Sequence, residues 1–527
     1  MDFRDVRAHI ASLRDETYLL QSLADVLSPQ AVTFQDVSEK RRIEVLAAHG
    51  VYGKILRDED VSFFAPRNSD ELADVFGSFF PQAQLPDELQ LPSTTSVSIT
   101  YADTVASIKR LGRGKACGPT GWCKELLLPL LHSPPPPVQM AVASVFSAIL
   151  AVSSLTESER GILTTSWAVL LHYRKKNKVR PIAVRDCLAK VLWSHLISTC
   201  KKSILLPGSS FGRPGGCAAV AVALQQLLDD NKLILQLDGH NAFNCVSRQA
   251  VFDWVRSKGA AMHIFYPFLN LFYSAITFTK FADPFGQVLF TQPVSVGASQ
   301  GCSSGPWFFH IGTFSAIKSL QGSPVGCLSV ADDMYIFDRE NGEVCVVIRE
   351  FIDKLMAVGV HVRGQKTRIL CSKAAAAKAA LIAALFAVCP IVHYPTDVLG
   401  TILWPDNSPN LQLNLRTQWS LLPPMQRLQN AFVRVSQLET SLFIKLQLLR
   451  FVQCKYVYLL SSCAHQLKDG ICAEIVELVK SAIFALFGLQ PSLSGEGPST
   501  HSYLIFTPLE EEGLGFYPVL GPRGTSL

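Results

Sequence analysis

Apolar residues change their spacing several times along the chain, and each change marks an element. "DELADVFGSFF" carries them at helical spacing, and the polar, Pro-containing "PQAQLPDELQLPSTTS" behind it reads as a linker. Further on, "KKNK" between "WAVLLHYR" and "VRPIAV" predicts the turn of a β-hairpin. From 236 to about 403, short β-prone runs alternate with helical ones. "LILQLD" and "VLFTQPVSVG" read as strands, "SRQAVFDWVRSKG" and a segment from about 303 as helices, and "CLSVADDMYIFD" as strand, turn, strand. The simplest packing for that mixture is an α+β layer of antiparallel strands with helices on one face. Residues 411–489 are almost wholly helical in pattern, as in "LFIKLQLLRFVQCKYVYLL".

Two runs are apolar enough to raise the question of a membrane, "VQMAVASVFSAILAVSSL" and "AALIAALFAVCPIV". The first is Ser-rich and follows four prolines, and the second is short and contains Pro390, so both read as buried helices. At 527 residues the chain is long enough for several subdomains, and 48% hydrophobic with 17% charged residues excludes a disordered chain. The net charge of +5 is mild, but "HYRKKNKVRP" gathers Arg174, Lys175, Lys176, Lys178 and Arg180. The 14 cysteines follow neither a disulfide framework nor a metal-finger spacing. Cys454, Cys463, His465 and Cys472 therefore read as thiols and a histidine without a metal. The start, "MDFRDVRAHIASLRDE", lacks the apolar run of a secretory signal. These features lead to the expectation of an intracellular protein with no membrane contact.

Asp332 and Asp333 stand side by side in "CLSVADDMYIFD". Turn chemistry accounts for such a pair, since Asp suits tight turns. A second account is a site for two divalent cations, formed when the tip carboxylates face a third from elsewhere. Asp238, at the end of an apolar strand, offers that third group, although an acid there also suits a turn or helix cap. Between them lies "SVGASQGCSSGPWFF", where Gly297, Gly301 and Gly305 permit close backbone approach and Gln300 supplies an amide.

Taken in order, strand-Asp-x4-Phe, G-x2-QG-x3-GP and hairpin Ala-Asp-Asp resemble motifs A, B and C of the reverse transcriptase palm. "KACGPTGW" and "RPIAVRDCLAKVL" look like fingers motifs, and "FGRPGGCAAVAVALQQLL" occupies the place of the segment before motif A. "GVHVRGQKTRIL" is similar to motif D, "VLGTIL" to the primer grip, and "EEGLGF" to the glycine motif beyond the thumb of retrotransposon enzymes. The resemblance spans roughly residues 105–516 and is nearest to the non-long-terminal-repeat, or LINE-like, class. Val330 departs from the aromatic residue usual before Ala-Asp-Asp, and Gly364-Gln365 replaces an Asn-containing pair before Lys366.

That resemblance implies an α+β right-hand polymerase with an antiparallel-sheet palm and a helical thumb. Its parts would be an N-terminal helical extension and linker (1–100), fingers (101–235), palm (236–403), thumb (404–490) and a tail (491–527). It implies an RNA-directed DNA polymerase extending a primer 3′-hydroxyl on an RNA template, with dNTPs and two Mg2+ ions, Mn2+ being the alternative. Asp238 and Asp332 would be the main metal ligands and Asp333 the weaker one. Lys176 and Arg180 would clamp the triphosphate, with the choice among Lys175, Lys176 and Lys178 open. Phe243 would crowd a ribose 2′-hydroxyl, Gln300 and Gly301 would lie against the templated base and nucleotide, and Lys366 would protonate pyrophosphate. A nuclear site of action follows from the same likeness. Other readings are an RNA-dependent RNA polymerase, a group II intron maturase, or a decayed retroelement copy that only binds nucleic acid. No endonuclease, ribonuclease H or zinc-knuckle region is apparent, which suggests a fragment of a larger protein or reliance on another nicking activity.

Overall fold

A computed structural model describes residues 61–90, 98–405 and 423–463, less short gaps at 64–65, 67–68, 113–114, 132–134, 152–154, 174–177, 205–208, 283–286, 299, 302 and 340–342, plus single positions 43, 47 and 481. Most of the expected N-terminal helical stretch, Lys175 and Lys176, most of 464–490 and the tail with "EEGLGF" lie outside the described residues.

The central sheet explains the apolar run "LILQL". Its middle strand, β4 (Ile234–Leu237), is flanked on one side by β9 (Arg368–Leu370) and β10 (Ile391–Val392). On the other side stand β8 (Asp333–Asp338) and β7 (Val325–Val330). All neighbours are antiparallel except β9 and β10. Leu235 and Leu237 face a large core built with Phe252, Phe308, Phe309 and Phe351, from helices Arg248–Ser257, Gly305–Gly312 and Val344–Ala357. Ile234, Tyr335 and Leu370 face the other way, onto Val220, Leu224 and Leu228 of helix Gly216–Asp229. Helices therefore cover both faces of the sheet, not one as the alternation of elements suggests. A central strand with both faces covered is largely apolar on both, so "LILQL" carries no clean alternation, and its one polar residue, Gln236, is taken up by Arg368.

A second sheet carries the basic hairpin, β2 (Ser166–Tyr173) and β3 (Lys178–Arg185), paired along their whole length. β2 also meets β1 (Val61–Phe63) and β5 (Thr277–Ala282), and β5 pairs with β6 (Val288–Val294). Helix Ser69–Gly77 packs Leu72 and Phe76 onto this sheet beside Ala168, Leu170 and Val294. The described part of the supposed linker is fastened rather than loose. Leu89 is buried, and its N–H and C=O bond the side chain of Asn270 at 2.9 Å each.

A small hairpin, β11 (Thr396–Val398) and β12 (Thr401–Leu403), is tied to the central sheet by Arg368, which donates to Gln236, Thr396 and the Asp397 carbonyl. Two helices, Pro423–Gln437 and Leu442–Cys463, pack on each other beyond it. Tyr458 of the second donates its hydroxyl to the Leu399 carbonyl at 2.8 Å. The apolar run at 138–155 forms helix Pro136–Ala151, which is only half buried: Met140 is 71% exposed while Phe146 and Leu150 face the core. Among the described residues no helix is long and apolar enough to cross a membrane.

Candidate active site

Register alone carries Asp238 to the acidic hairpin. Leu237 lies opposite Met334 in the antiparallel β4–β8 ladder, so the residue after Leu237 arrives beside the start of β8. Val330 pairs with Asp333, leaving Ala331 and Asp332 as a two-residue turn. Asp332 is thus at the tip and Asp333 is the first residue of β8, a division that adjacency in sequence does not show. Ala331 has φ +53°, a left-handed conformation costing an L-residue roughly 1–2 kcal/mol, and strain of this kind concentrates at functional turns.

An open pocket of about 490 Å³ lies in front of this turn. Asp238, Asp332, Phe243, Gln300, Arg180 and Lys366, residues scattered over 187 positions, share its wall. Asp333 and Gly301 are not on that wall. Alternation along β8 and β7 sets Asp333 with Val330 and Tyr335, on the face toward the Gly216–Asp229 helix, where Val330 packs against the apolar cluster. Lys176 lies outside the described residues, but Lys178 lines the pocket, two places from Arg180 and so on the same face of β3.

The electrostatics are those of crowded acids opposed by crowded cations. Burial, reinforced by Asp238, raises the Asp332 carboxyl above its ordinary range, and Arg180 partly offsets this. Burial and then the charges of Asp332 and Asp238 push Asp333 up to about 6, with Arg368 opposing. Burial brings Lys178 down to about 8, helped by Arg180, Lys366 and Arg363, with Asp238 opposing. Acids that repel one another in a half-buried cleft are suited to a hard divalent cation, which removes the repulsion. Among the described residues no three His, Cys, Asp or Glu side chains converge closely enough to hold a metal by themselves. Mg2+ does not need that, since it takes one or two carboxylates and fills its octahedron with water and substrate phosphates. Asp238 and Asp332 meet that demand; Asp333, on the neighbouring face, contributes charge nearby.

The glycine loop fits against Asp238's own strand end. Ala298 N–H donates to the Phe243 carbonyl at 2.9 Å, and Gln300 N–H donates to Asn244 Oδ1 at 2.8 Å. On its other side the Gln300 carbonyl accepts from Ala183 N–H at 2.7 Å, joining the loop to β3. Gly297 has φ +63°, and a Cβ there would stand 2.5 Å from the backbone of Phe243 and Asn244. Gly301 has φ +100°, with Ile182 and Ala183 at 2.6 and 2.8 Å from any Cβ. Phe243 packs one edge on Phe309 with centroids 5.7 Å apart, while another part reaches the pocket, so it is both a core and a wall residue.

Sequence reasoning missed Arg363, Asn244, Asn241 and Phe79, all on the pocket wall. Arg363 N–H donates to the Asp238 carbonyl at 2.9 Å and His240 N–H to the His361 carbonyl at 2.7 Å, so the stretch with Lys366 is clasped to the Asp238 loop. The polar Asn244 directly after Phe243 was a usable signal. Phe79 had none, because its segment, assigned no chemistry, lies 159 residues before Asp238.

A mostly antiparallel sheet that presents acids at a hairpin tip beneath a basic hairpin, with a helical pair beyond, is the palm architecture of a right-hand polymerase. Residues 173–403 match the reverse transcriptase (RNA-dependent DNA polymerase) family. The chain is also similar to the retrotransposable element SLACS 132 kDa protein of Trypanosoma brucei gambiense, at 28% identity over 292 residues. That alignment covers 54% of this chain and 24% of the relative, so the chain spans about a quarter of the protein it matches. Among solved structures, telomerase from Candida albicans with a fragment of telomeric RNA aligns at TM-score 0.37 and 12% identity, over 64% of this chain and 66% of that one. Apo telomerase from Candida tropicalis aligns at TM-score 0.34 and 10% identity, over 64% and 69%.

Proposed function

We propose that the chain is an RNA-directed DNA polymerase of a non-long-terminal-repeat retroelement. The observation that carries the reading is the shared wall of Asp238, Asp332, Phe243, Gln300, Arg180 and Lys366 inside a reverse transcriptase domain. Asp238 and Asp332 would hold divalent cations, two Mg2+ in this reading, with Asp333 adding negative charge beside them. Such ions, when bound, favour the ionised primer hydroxyl and neutralise charge on the reacting phosphate.

The chain's own groups do the rest. Arg180 binds phosphate oxygens through its planar fork, and Lys178 adds a point charge from the same strand face. Among the described lysines of the hairpin, Lys178 is the one that lines the pocket, and Lys175 and Lys176 lie outside the described residues. Lys366, on the same pocket wall, is the proton donor to the leaving pyrophosphate in this reading. Phe243, braced by Phe309, excludes a 2′-hydroxyl, which disfavours the RNA polymerase alternative. Gln300 lies against the new base pair, and Gly301 lets its loop approach β3. Fingers at 101–235, palm at 236–403 and thumb at 404–490 complete the reading. The paired helices 423–463 hold an RNA:DNA duplex through its backbone and shape. The ten described cysteines are all free of disulfides, which supports a reduced intracellular setting, and the nucleus is where a DNA target is met.

Primer extension tests this reading, using the purified chain on a primed RNA template with Mg2+ and dNTPs. Wild type should extend the primer, and an Asp332→Ala, Asp333→Ala double variant should lose roughly a thousandfold or more in rate, the scale of losing a catalytic metal site. Equal extension by the two proteins overturns it.

A further inference from the structure

We propose that Phe79, upstream of the matched domain, is a positioning residue for the incoming nucleotide. Its ring holds Lys178 toward the triphosphate, while Ser78 holds the loop that follows Asp238. The proposal rests on the polymerase reading and extends it to residues outside 173–403.

Three observations meet at this point. Phe79 is 8% exposed and lines the pocket opposite the acids, and Lys178 Nζ lies 5.7 Å from its ring centroid, within cation–π range. The Ser78 carbonyl accepts from Asn241 Nδ2 at 2.9 Å, and Asn241 is a pocket residue held at φ +46° between Asp238 and Phe243. Downstream, Ser295 Oγ donates to Gln82 Oε1 at 2.9 Å and accepts from Ala83 N–H at 3.0 Å. Gln82 also donates to the Pro293 carbonyl at 3.0 Å, just ahead of the glycine loop. Residues 78–83 are therefore bonded to the loop after Asp238 on one side and to the approach to Gln300 on the other.

The strap is anchored well enough to act as a wall. Phe76 is fully buried and stacks on Phe80 and Phe290 at 5.9 and 5.2 Å. Phe79 shares that cluster, so part of its ring is ordinary packing, and what remains is turned to the pocket beneath the Lys178 ammonium. A lysine stem is flexible, and fixing it before the nucleotide arrives removes an ordering cost from binding.

The test is equilibrium binding of dTTP, with Mg2+, to the full chain on an RNA template whose primer ends in a dideoxynucleotide, so that no chemistry is needed. Phe79→Ala should weaken dTTP about five- to tenfold, the size of a partly desolvated cation–π contact, and Phe79→Leu should weaken it equally although it keeps an apolar side chain. Phe79→Tyr, which keeps the ring, should bind within about twofold of wild type. In extension with a normal primer, KM for dTTP should rise by the same factor with kcat within about twofold. In a Lys178→Ala background, Phe79→Ala should add less than about twofold.

Full retention of affinity by Phe79→Leu, or an undiminished Phe79→Ala effect without Lys178, overturns the proposal. Should wild type bind dTTP with these variant effects yet never extend a primer, the polymerase reading fails while the positioning role stands. Should wild type extend normally while Phe79→Ala matches it in KM, the positioning role fails alone.

Discussion

Replacing Arg248 by Met should both destabilise the chain and loosen the nucleotide pocket. The guanidinium is 3% exposed and donates to four carbonyls. Nε reaches Gly297 at 3.1 Å, Nη1 reaches Tyr273 and Ala275 at 3.3 and 3.1 Å, and Nη2 reaches Val294 at 3.2 Å. Burial, opposed by Tyr273 and reinforced by Arg185, lowers its pKa to about 9, yet it remains charged at neutral pH. Met keeps the volume of the stem but leaves those oxygens without these donors, at about 1 kcal/mol each, so a loss of roughly 4 kcal/mol follows. For a chain of 527 residues, at about 2.1 cal/mol/K of unfolding entropy per residue, that corresponds to a fall of about 4 °C in Tm, read by calorimetry at pH 7. Because Gly297 opens the loop that carries Gln300, KM for dNTP should rise severalfold under conditions where the variant is folded. A variant melting within about 1 °C of wild type would show that the four carbonyls do not depend on this side chain.

Gly301→Ala should reduce extension at least about tenfold while folding is retained, since its Cβ would push the loop off Ile182 and Ala183; a dNTP titration measures it. Phe243→Ala should raise ribonucleotide incorporation about tenfold or more relative to dNTPs, and unchanged sugar selectivity would remove its role as the 2′-hydroxyl barrier. His310 is 2% exposed, its Nε2 has no hydrogen-bond partner among the described residues, and burial with Arg213 lowers its pKa to about 4. A histidine depressed in the native state contributes full stability above its unfolded pKa near 6.5 and loses it as pH falls toward 4. Wild type should therefore lose roughly 2 kcal/mol between pH 7 and pH 5 that a His310→Leu variant does not lose, as chemical denaturation at the two pH values can show.

Much of the site was legible as linear chemistry. The apolar "LILQL" ending in Asp238, the hairpin "CLSVADDMYIFD" and the spaced glycines around Gln300 each encode a local conformation, and local conformation follows from backbone geometry over a few residues. Helix Arg248–Ser257 and the hairpin of β2 and β3 were readable for the same reason. The α+β layering was legible too, although the number of covered faces was not, because a largely apolar strand does not say what lies on either side of it.

By itself, then, the sequence determined the order of the acidic and amide-bearing segments, with Asp238, Gln300 and the Asp332–Asp333 pair each placed in its own local element. Tertiary structure alone decided how they are shared out. The two-residue turn at Ala331 sends Asp332 to the pocket and leaves Asp333 on the other face of β8. Strand alternation set Lys178 beside Arg180 on the pocket wall, and Arg363 entered the wall through its bond to the Asp238 carbonyl. Phe79 reached Lys178 because Leu72 and Phe76 bury themselves on the second sheet. Contacts of that kind are selected by burial and shape across long separations, and nothing in the spacing of neighbours along the chain encodes them.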